Sequence, residues 1–288
     1  MNLETALGDV SKVKIAVVGD ICVDAYVFLS ERRSEISIET GLATRSVERF
    51  TFDLGGAGNV AINLCRLGAA KVDLYGIIGK DAFGDIVRTS LAREGQGDSC
   101  LVAQDENWST HVYYKFYREG KEEPRLDFGN FNRPARESQD LLLSTLERNL
   151  ALYDAVIINE QVLSGYHDEY FQAGLLRLIA RHSEAPLWVS DCRRLNDVYG
   201  DCIHKLNSDE AREIYRAGAG NSGKADSSDA DVARWLFSHW KRPVVVTRGQ
   251  NGAIVCDGEG PREILGLHII NQVDSVGAGD AFLAAATA

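Results

Sequence analysis

Lys14-Ile15-Ala16-Val17-Val18-Gly19-Asp20 decides the fold. Its apolar residues run without alternation and end in Gly-Asp. That is the pattern of a parallel strand covered on both faces, with ligand-handling groups at its carboxyl end. The unit recurs at Val72 to Ile78, Ala155 to Ile158, Leu187 to Ser190 and Val244 to Thr247. Helical patterns lie between, at Asn59 to Leu67, Ala82 to Glu94, Ser138 to Ala151, Tyr166 to His182 and Asp229 to Trp240. This alternation predicts an α/β fold with a mainly parallel central sheet. The chain carries no internal repeat and no interdomain linker, so residues 1–288 read as a single domain.

Two segments depart from the alternation. Residues 24–53 and 108–128 hold β-prone pieces, among them Ala25-Tyr26-Val27-Phe28, Val47 to Phe52 and Thr110 to Arg118. They are expected to form a small accessory sheet over the carboxyl end of the main one, a lid that excludes water. A pair of long surface hairpins is the alternative. The run Ala217 to Ser228 (AGAGNSGKADSS) reads as a loop between two helices.

Composition narrows the partners. The chain has 288 residues, 45% of them hydrophobic and 25% charged, as in an ordinary globular protein able to bury a core without staples. A net charge of −11 with no dense Lys/Arg run argues against nucleic acid. Small phosphorylated ligands need only a few local donors and stay open. The six cysteines are scattered with no CxxC pair, which predicts reduced, buried thiols in a cytoplasmic protein. The histidines lack zinc spacing, and no apolar run is long enough for a membrane span.

The chemistry gathers in glycine-rich turns. In Asp274-Ser275-Val276-Gly277-Ala278-Gly279-Asp280-Ala281-Phe282, small residues free backbone N–H groups where a helix begins, an anion hole with an acid inside it. Such an acid can take a proton from an attacking hydroxyl while the amides hold phosphate charge, which points to phosphoryl transfer. A second cluster, Gly55-Gly56-Ala57-Gly58-Asn59, opens another helix. Gly56-x-Gly58-x-x-Ala61 with Asp81 loosely fits a dinucleotide fingerprint, yet Asn59 and the bare amides suit sugar hydroxyls equally. No GxxxxGK[ST] loop occurs. Three segments following strands are candidate nucleotide contacts or simple caps: Asn207-Ser208-Asp209-Glu210, Thr247-Arg248-Gly249-Gln250-Asn251-Gly252, and Asp191-Cys192-Arg193-Arg194. Glu210 suits a Mg²⁺ ion held through water.

Together these motifs resemble the ribokinase/PfkB family of carbohydrate kinases, across nearly the whole chain. The resemblance implies a ribokinase-like three-layer α/β/α sandwich with a β-sheet lid. It implies Asp280 as catalytic base, with Gly277, Ala278 and Gly279 holding the transferred phosphate. Asp20, Asp24, Gly55, Gly56 and Asn59 would bind the sugar. Asn207, Thr247, Gly249 and Gly252 would serve ATP, and Glu210 the Mg²⁺; Arg193, read from its place after a strand, is a further nucleotide candidate. A monovalent cation and a homodimer formed through the lid are further implications. The stretch Ser109 to Phe128 resembles the heptose-7-phosphate kinases, which makes Lys115, Arg118 and Arg125 candidate donors to a phosphate already on the sugar, or else part of a solvated lid surface.

The chain also departs from that subgroup. Asn159-Glu160-Gln161 stands where an Asp-Tyr pair with a nearby lysine is usual, and Leu206 replaces a proline. Family members run on beyond the Gly-Ala-Gly-Asp motif, whereas this sequence stops at Ala288. The expectation is therefore that the last part of the fold is missing and that the motif's helix is short and unsupported. Its dipole is expected to keep Asp280 ionised. A non-catalytic sugar- or nucleotide-binding paralogue is the alternative function, with an NAD-binding protein a distant third.

Overall fold

The computed structural model describes residues 9–219, 227–266 and 277–288. Asp274, Ser275, Val276 and most of the glycine-rich loop after Ala217 lie outside the described residues.

The opening stretch forms β1 (Lys14–Gly19), buried beyond its first residue. It lies inside a sheet with β4 (Lys71–Gly79), β5 (Leu101–Gln104), β9 (Ala155–Glu160), β10 (Leu187–Cys192), β11 (Ile203–Asn207), β12 (Val244–Thr247), β13 (Ala253–Asp257) and β14 (Gly260–Ile264). The spatial order is β14-β13-β12-β11-β10-β9-β1-β4-β5. All pairs from β12 to β5 are parallel, and β13 and β14 add an antiparallel hairpin at one edge. The chain runs outward from β1 to β4 and β5, then returns to start the other half at β9. The crevice between the carboxyl ends of β1 and β9 is thus the topological switch point, where open α/β sheets bind ligands.

Alternate residues of β1 feed two cores. Ile15 and Val17 pack with α1 (Ala57–Leu67) and α2 (Ala82–Arg93), while Ala16 and Val18 pack with α3 (Arg136–Asn149) and α4 (Glu169–Arg181). A third cluster joins α5 (Ser208–Gly218) and α6 (Asp229–Trp240) to β11, β12 and β13. The last helix, α7 (Ala278–Thr287), is short, as expected, but not unsupported. Leu283 and Ala284 are 1% and 0% exposed and belong to the cluster containing Ala57, Val60 and Ala61 of α1. Tertiary packing holds a helix that its length alone would leave marginal.

The accessory sheet forms as expected. Its strands are β2 (Ile21–Ser30), β3 (Ser46–Gly56), β6 (His111–Arg118), β7 (Lys121–Glu122) and β8 (Leu126–Phe128), ordered β3-β2-β6-β7 with β8 beside β6. Only Asp20 separates β1 from β2, and β3 runs straight into α1. The lid is therefore rooted at the switch point. Among the described residues no helix is long and apolar enough to cross a membrane.

Candidate active site

The glycine motif at the head of α7 and the one at the head of α1 face each other. Asn59 Nδ2 donates to Asp280 Oδ2 at 2.7 Å, spanning 221 residues of sequence. Asn63, one turn further along α1, donates to Asn59 Oδ1 at 3.1 Å, which fixes the amide so that its NH₂ faces the acid. Gly277 caps α7 with φ +78°, and a methyl there would stand 2.7 Å from Asn59 Nδ2. Among the described residues no side chain caps this helix. The first-turn N–H groups of a helix have no intrahelical partner, so they are left for an anion.

A cavity of about 360 Å³ opens in front of these groups. From the sequence candidates, Asp24, Gly55, Gly56, Asn59, Lys115, Arg125, Arg193, Asn207, Glu210, Gly277, Gly279 and Asp280 all line it. Asp24 Oδ1 pairs with Lys115 Nζ at 2.7 Å, and Arg125 lies over the Tyr113 ring. The wall also holds Asp191, from the candidate segment at the end of β10, and residues that sequence patterns did not single out as site residues: Cys22, Tyr113, Gln161 and Lys205. Lys205 Nζ bonds Asp191 Oδ2 at 2.9 Å, both side chains nearly buried. A methyl on Gly279 would sit 3.3 Å from Lys205 Nζ, so an ammonium flanks the amide hole. The lysine's only sequence signal was its place at the end of a strand, two residues before Asn207.

Burial pushes the Asp280 carboxyl above its ordinary range. The Asn59 bond, Lys205 and Arg193 oppose this, and Asp191 reinforces it. The direction is opposite to the one expected from the helix dipole, because desolvation outweighs a partial charge at a part-buried helix end.

Other candidates occupy different places. Asp20 does not reach the cavity; it is 2% exposed, and Oδ2 accepts from the N–H groups of Gln161 and Val162 at 2.8 and 3.0 Å. Burial raises its pKa to about 7. Arg118 lies at the far end of β6, paired with Glu31 and Glu123, and does not line the cavity. Ala278, Thr247, Gly249 and Gly252 also lie outside the lining. Thr247 Oγ1 bonds the Leu206 carbonyl at 3.2 Å, and Gly252 takes φ +85° where a methyl would meet Ile264 O at 2.0 Å. Those two residues shape the β12–β13 turn. The dinucleotide reading of Gly56 to Ala61 does not fit this architecture, because the turn follows a lid strand and not the first parallel strand.

Asn207 and Glu210 form a capping box on α5: Asn207 Oδ1 accepts from the N–H groups of Asp209 and Glu210, and Glu210 Oε2 accepts from Asn207 N–H. Both also face the cavity, and burial raises the Glu210 carboxyl. Among the described residues no group of three or more acidic, histidine or cysteine side chains converges on one point. A single carboxylate facing the cavity nevertheless fits Mg²⁺, which binds through one or two carboxylates and the phosphates it accompanies.

The frame is a largely parallel α/β sheet with a second, small sheet beside the facing glycine turns. The chain belongs to the pfkB family of carbohydrate kinases, whose family model matches residues 12–288. It is 29% identical over 275 residues to the bifunctional protein HldE of Marinomonas sp., covering 95% of this chain and 55% of that protein. The chain thus spans about half the length of the curated relatives it matches. Among solved structures, phosphofructokinase-2 from Escherichia coli in complex with fructose-6-phosphate superposes with a TM-score of 0.67 at 18% identity, covering 96% of this chain and 86% of that one. Ribokinase from Cryptococcus neoformans in complex with ADP gives 0.66 at 17% identity, covering 94% and 85%.

Proposed function

We propose that this domain transfers the γ-phosphate of ATP to a hydroxyl of a sugar phosphate, with heptose 7-phosphate the first candidate. One observation carries the reading: Asp280, an amide hole and a sugar-suited glycine turn converge through the Asn59 bond on a single cavity. The acceptor oxygen bonds to the γ-phosphorus while its proton passes to Asp280, and the bond from phosphorus to the β,γ-bridging oxygen breaks to release ADP. The N–H groups of the Gly277–Gly279 turn and the Lys205 ammonium balance charge on the equatorial oxygens, the main demand of phosphoryl transfer. Glu210 and Asn207 serve the nucleotide side, where Mg²⁺ supplies further charge neutralisation. Asp24, Gly55, Gly56 and Asn59 hold sugar hydroxyls.

Lys115 and Arg125 support a phosphorylated rather than neutral sugar, because they give an anion charge-assisted donors on the lid side, whereas Arg193, just past the end of β10, serves the nucleotide side. Similarity to HldE supports heptose over other sugar phosphates. Arg118 has no part in this reading, since it lies outside the cavity lining, at the end of β6, with Glu31 and Glu123 as its partners. The exposed apolar residues Val47 and Phe50 on β3 support a homodimer through the lid. A coupled ADP-release assay over neutral sugars and their phosphates tests the function. Turnover with heptose 7-phosphate well above that with neutral sugars is expected. Measurable binding without turnover on any member would refute the kinase reading in favour of a non-catalytic paralogue.

A further inference from the structure

Two carboxylates lie beneath the cavity, at the ends of the adjacent strands β1 and β9, and neither lines it. Asp20 and Glu160 are each 2% exposed. Asp20 Oδ2 takes the consecutive N–H groups of Gln161 and Val162, while its own backbone bonds Asn159 O at 3.0 Å and accepts from Ala57 N at 2.9 Å. Glu160 Oε2 takes the consecutive N–H groups of Arg193 and Arg194 at 3.1 and 3.0 Å. The Arg194 guanidinium ties the two sides together by bonding both Glu160 Oε1 and the Val162 carbonyl.

Each carboxylate therefore holds one short segment of cavity wall by its backbone. The two segments meet in front: Arg193 Nε donates to Gln161 Oε1 at 3.0 Å, and Gln161 Nε2 donates to the Asp191 carbonyl at 3.2 Å. Asp191 in turn holds Lys205. Asp20 Oδ1 has no hydrogen-bond partner among the described residues, but it is buried away from the cavity and so is not offered to a sugar there. Its Oδ1 lies under Gly165, where a methyl would approach to 2.4 Å.

We propose that Asp20 and Glu160 are positioning residues: they fix segments 161–162 and 193–194 so that the Arg193 guanidinium faces the hole formed by Gly277 to Asp280. Burying two carboxylates side by side is a poor route to stability, because well-packed apolar replacements of similar volume often serve as well. What the pair supplies is geometry. Each gathers two backbone donors with fixed spacing, and an exposed arginine is thereby held by its own backbone and by one side-chain bond instead of roaming. Misplacement of a reacting group by about 1 Å can cost ~10²-fold in rate. The inference rests on the phosphotransfer reading for the role of Arg193.

The test compares Asp20→Ala, Asp20→Asn, Gln161→Ala and Arg193→Ala, alone and each of the first three combined with Arg193→Ala. The readouts are kcat and KM for ATP and heptose 7-phosphate, MgADP affinity by calorimetry, and a thermal melt for each variant. Asp20→Ala is expected to lower kcat by roughly 10- to 100-fold with the heptose-phosphate KM within twofold. Asp20→Asn keeps an oxygen where the two N–H groups point and is expected to recover most of that turnover. In the Arg193→Ala background the loss from Asp20→Ala shrinks to twofold or less. Gln161→Ala, on the cavity wall and outside the buried pair, gives the same non-additive loss and keeps the test open if Asp20→Ala fails to fold. A tenfold rise in heptose-phosphate KM at unchanged kcat in Asp20→Asn would overturn the inference and return Asp20 to the sugar. Losses that multiply with Arg193→Ala would also overturn it. If Arg193→Ala alone leaves kcat and MgADP affinity unchanged, the phosphotransfer role of Arg193 fails first, and the proposed purpose of the frame fails with it.

Discussion

Removing the Asn59 amide probes whether Asp280 is the proton acceptor. Asn59 Nδ2 donates to Asp280 Oδ2 at 2.7 Å and is the strongest local influence keeping that buried carboxyl ionised. A hydrogen bond to a charged group is worth about 1.5–3 kcal/mol, and one pKa unit corresponds to about 1.4 kcal/mol. Asn59→Ala is therefore expected to raise the Asp280 pKa further, since the strongest influence holding it down is lost. Only the ionised acid accepts the hydroxyl proton, so the rate falls as pH drops through that pKa. A higher pKa moves the acid limb of kcat/KM toward alkaline pH by the same amount, and turnover well above the limb survives. Asn63→Ala, which only frees the Asn59 amide to rotate, is expected to give a smaller shift in the same direction. Profiles from pH 5 to 10 measure both. An unmoved acid limb in Asn59→Ala would refute Asp280 as the titrating base.

Three further outcomes follow from the packing and the caps. Leu283→Ala empties a site 1% exposed between α7 and α1 and is expected to lower stability by about 2–5 kcal/mol in urea titration; a loss below about 1 kcal/mol would mean α7 is not tied to the core. Asp20 has a folded pKa near 7 against 3.8 unperturbed, so the folded state holds its proton longer than the unfolded chain does. Its contribution to stability is complete below about pH 4 and is lost as pH rises toward 7, and Asp20→Asn is expected to flatten that decline, which melting curves across this range would read. Asn207→Ala removes the cap of α5 and is expected to cost about 1 kcal/mol and to raise the KM for ATP, whereas Asn207→Ser restores the cap but not the KM; recovery of both would make Asn207 a cap alone.

The sheet was legible wherever a strand was a buried apolar run, as in β1, β4, β9, β10 and β12. β5 escaped notice because four residues are too few for a pattern, and α5 because its apolar stripe buries only Ala211 and Tyr215. The glycine motifs read correctly as helix heads because tight turns and bare amides demand small residues locally. What the sequence could not carry were relations between distant side chains. Lys205 looked like a strand residue until the fold set it beside Gly279. Asp20 looked like a ligand because it ends a parallel strand, yet its carboxylate turns inward to the backbone of Gln161 and Val162. Arg118 shares a strand with Lys115, but the strand carries it three residues beyond the cavity to its own acidic partners. Desolvation of Asp280 was equally hidden, since it depends on how α7 is buried.

The most direct measurement on the central claim is turnover and binding by Asp280→Asn. The substitution keeps the shape and the contact with Asn59 while removing the proton acceptor. The account predicts that ADP release on heptose 7-phosphate falls by at least about 10²–10⁴-fold, the range for a lost general base, while sugar-phosphate affinity stays within a few fold. Wild-type-like turnover in this variant would contradict it.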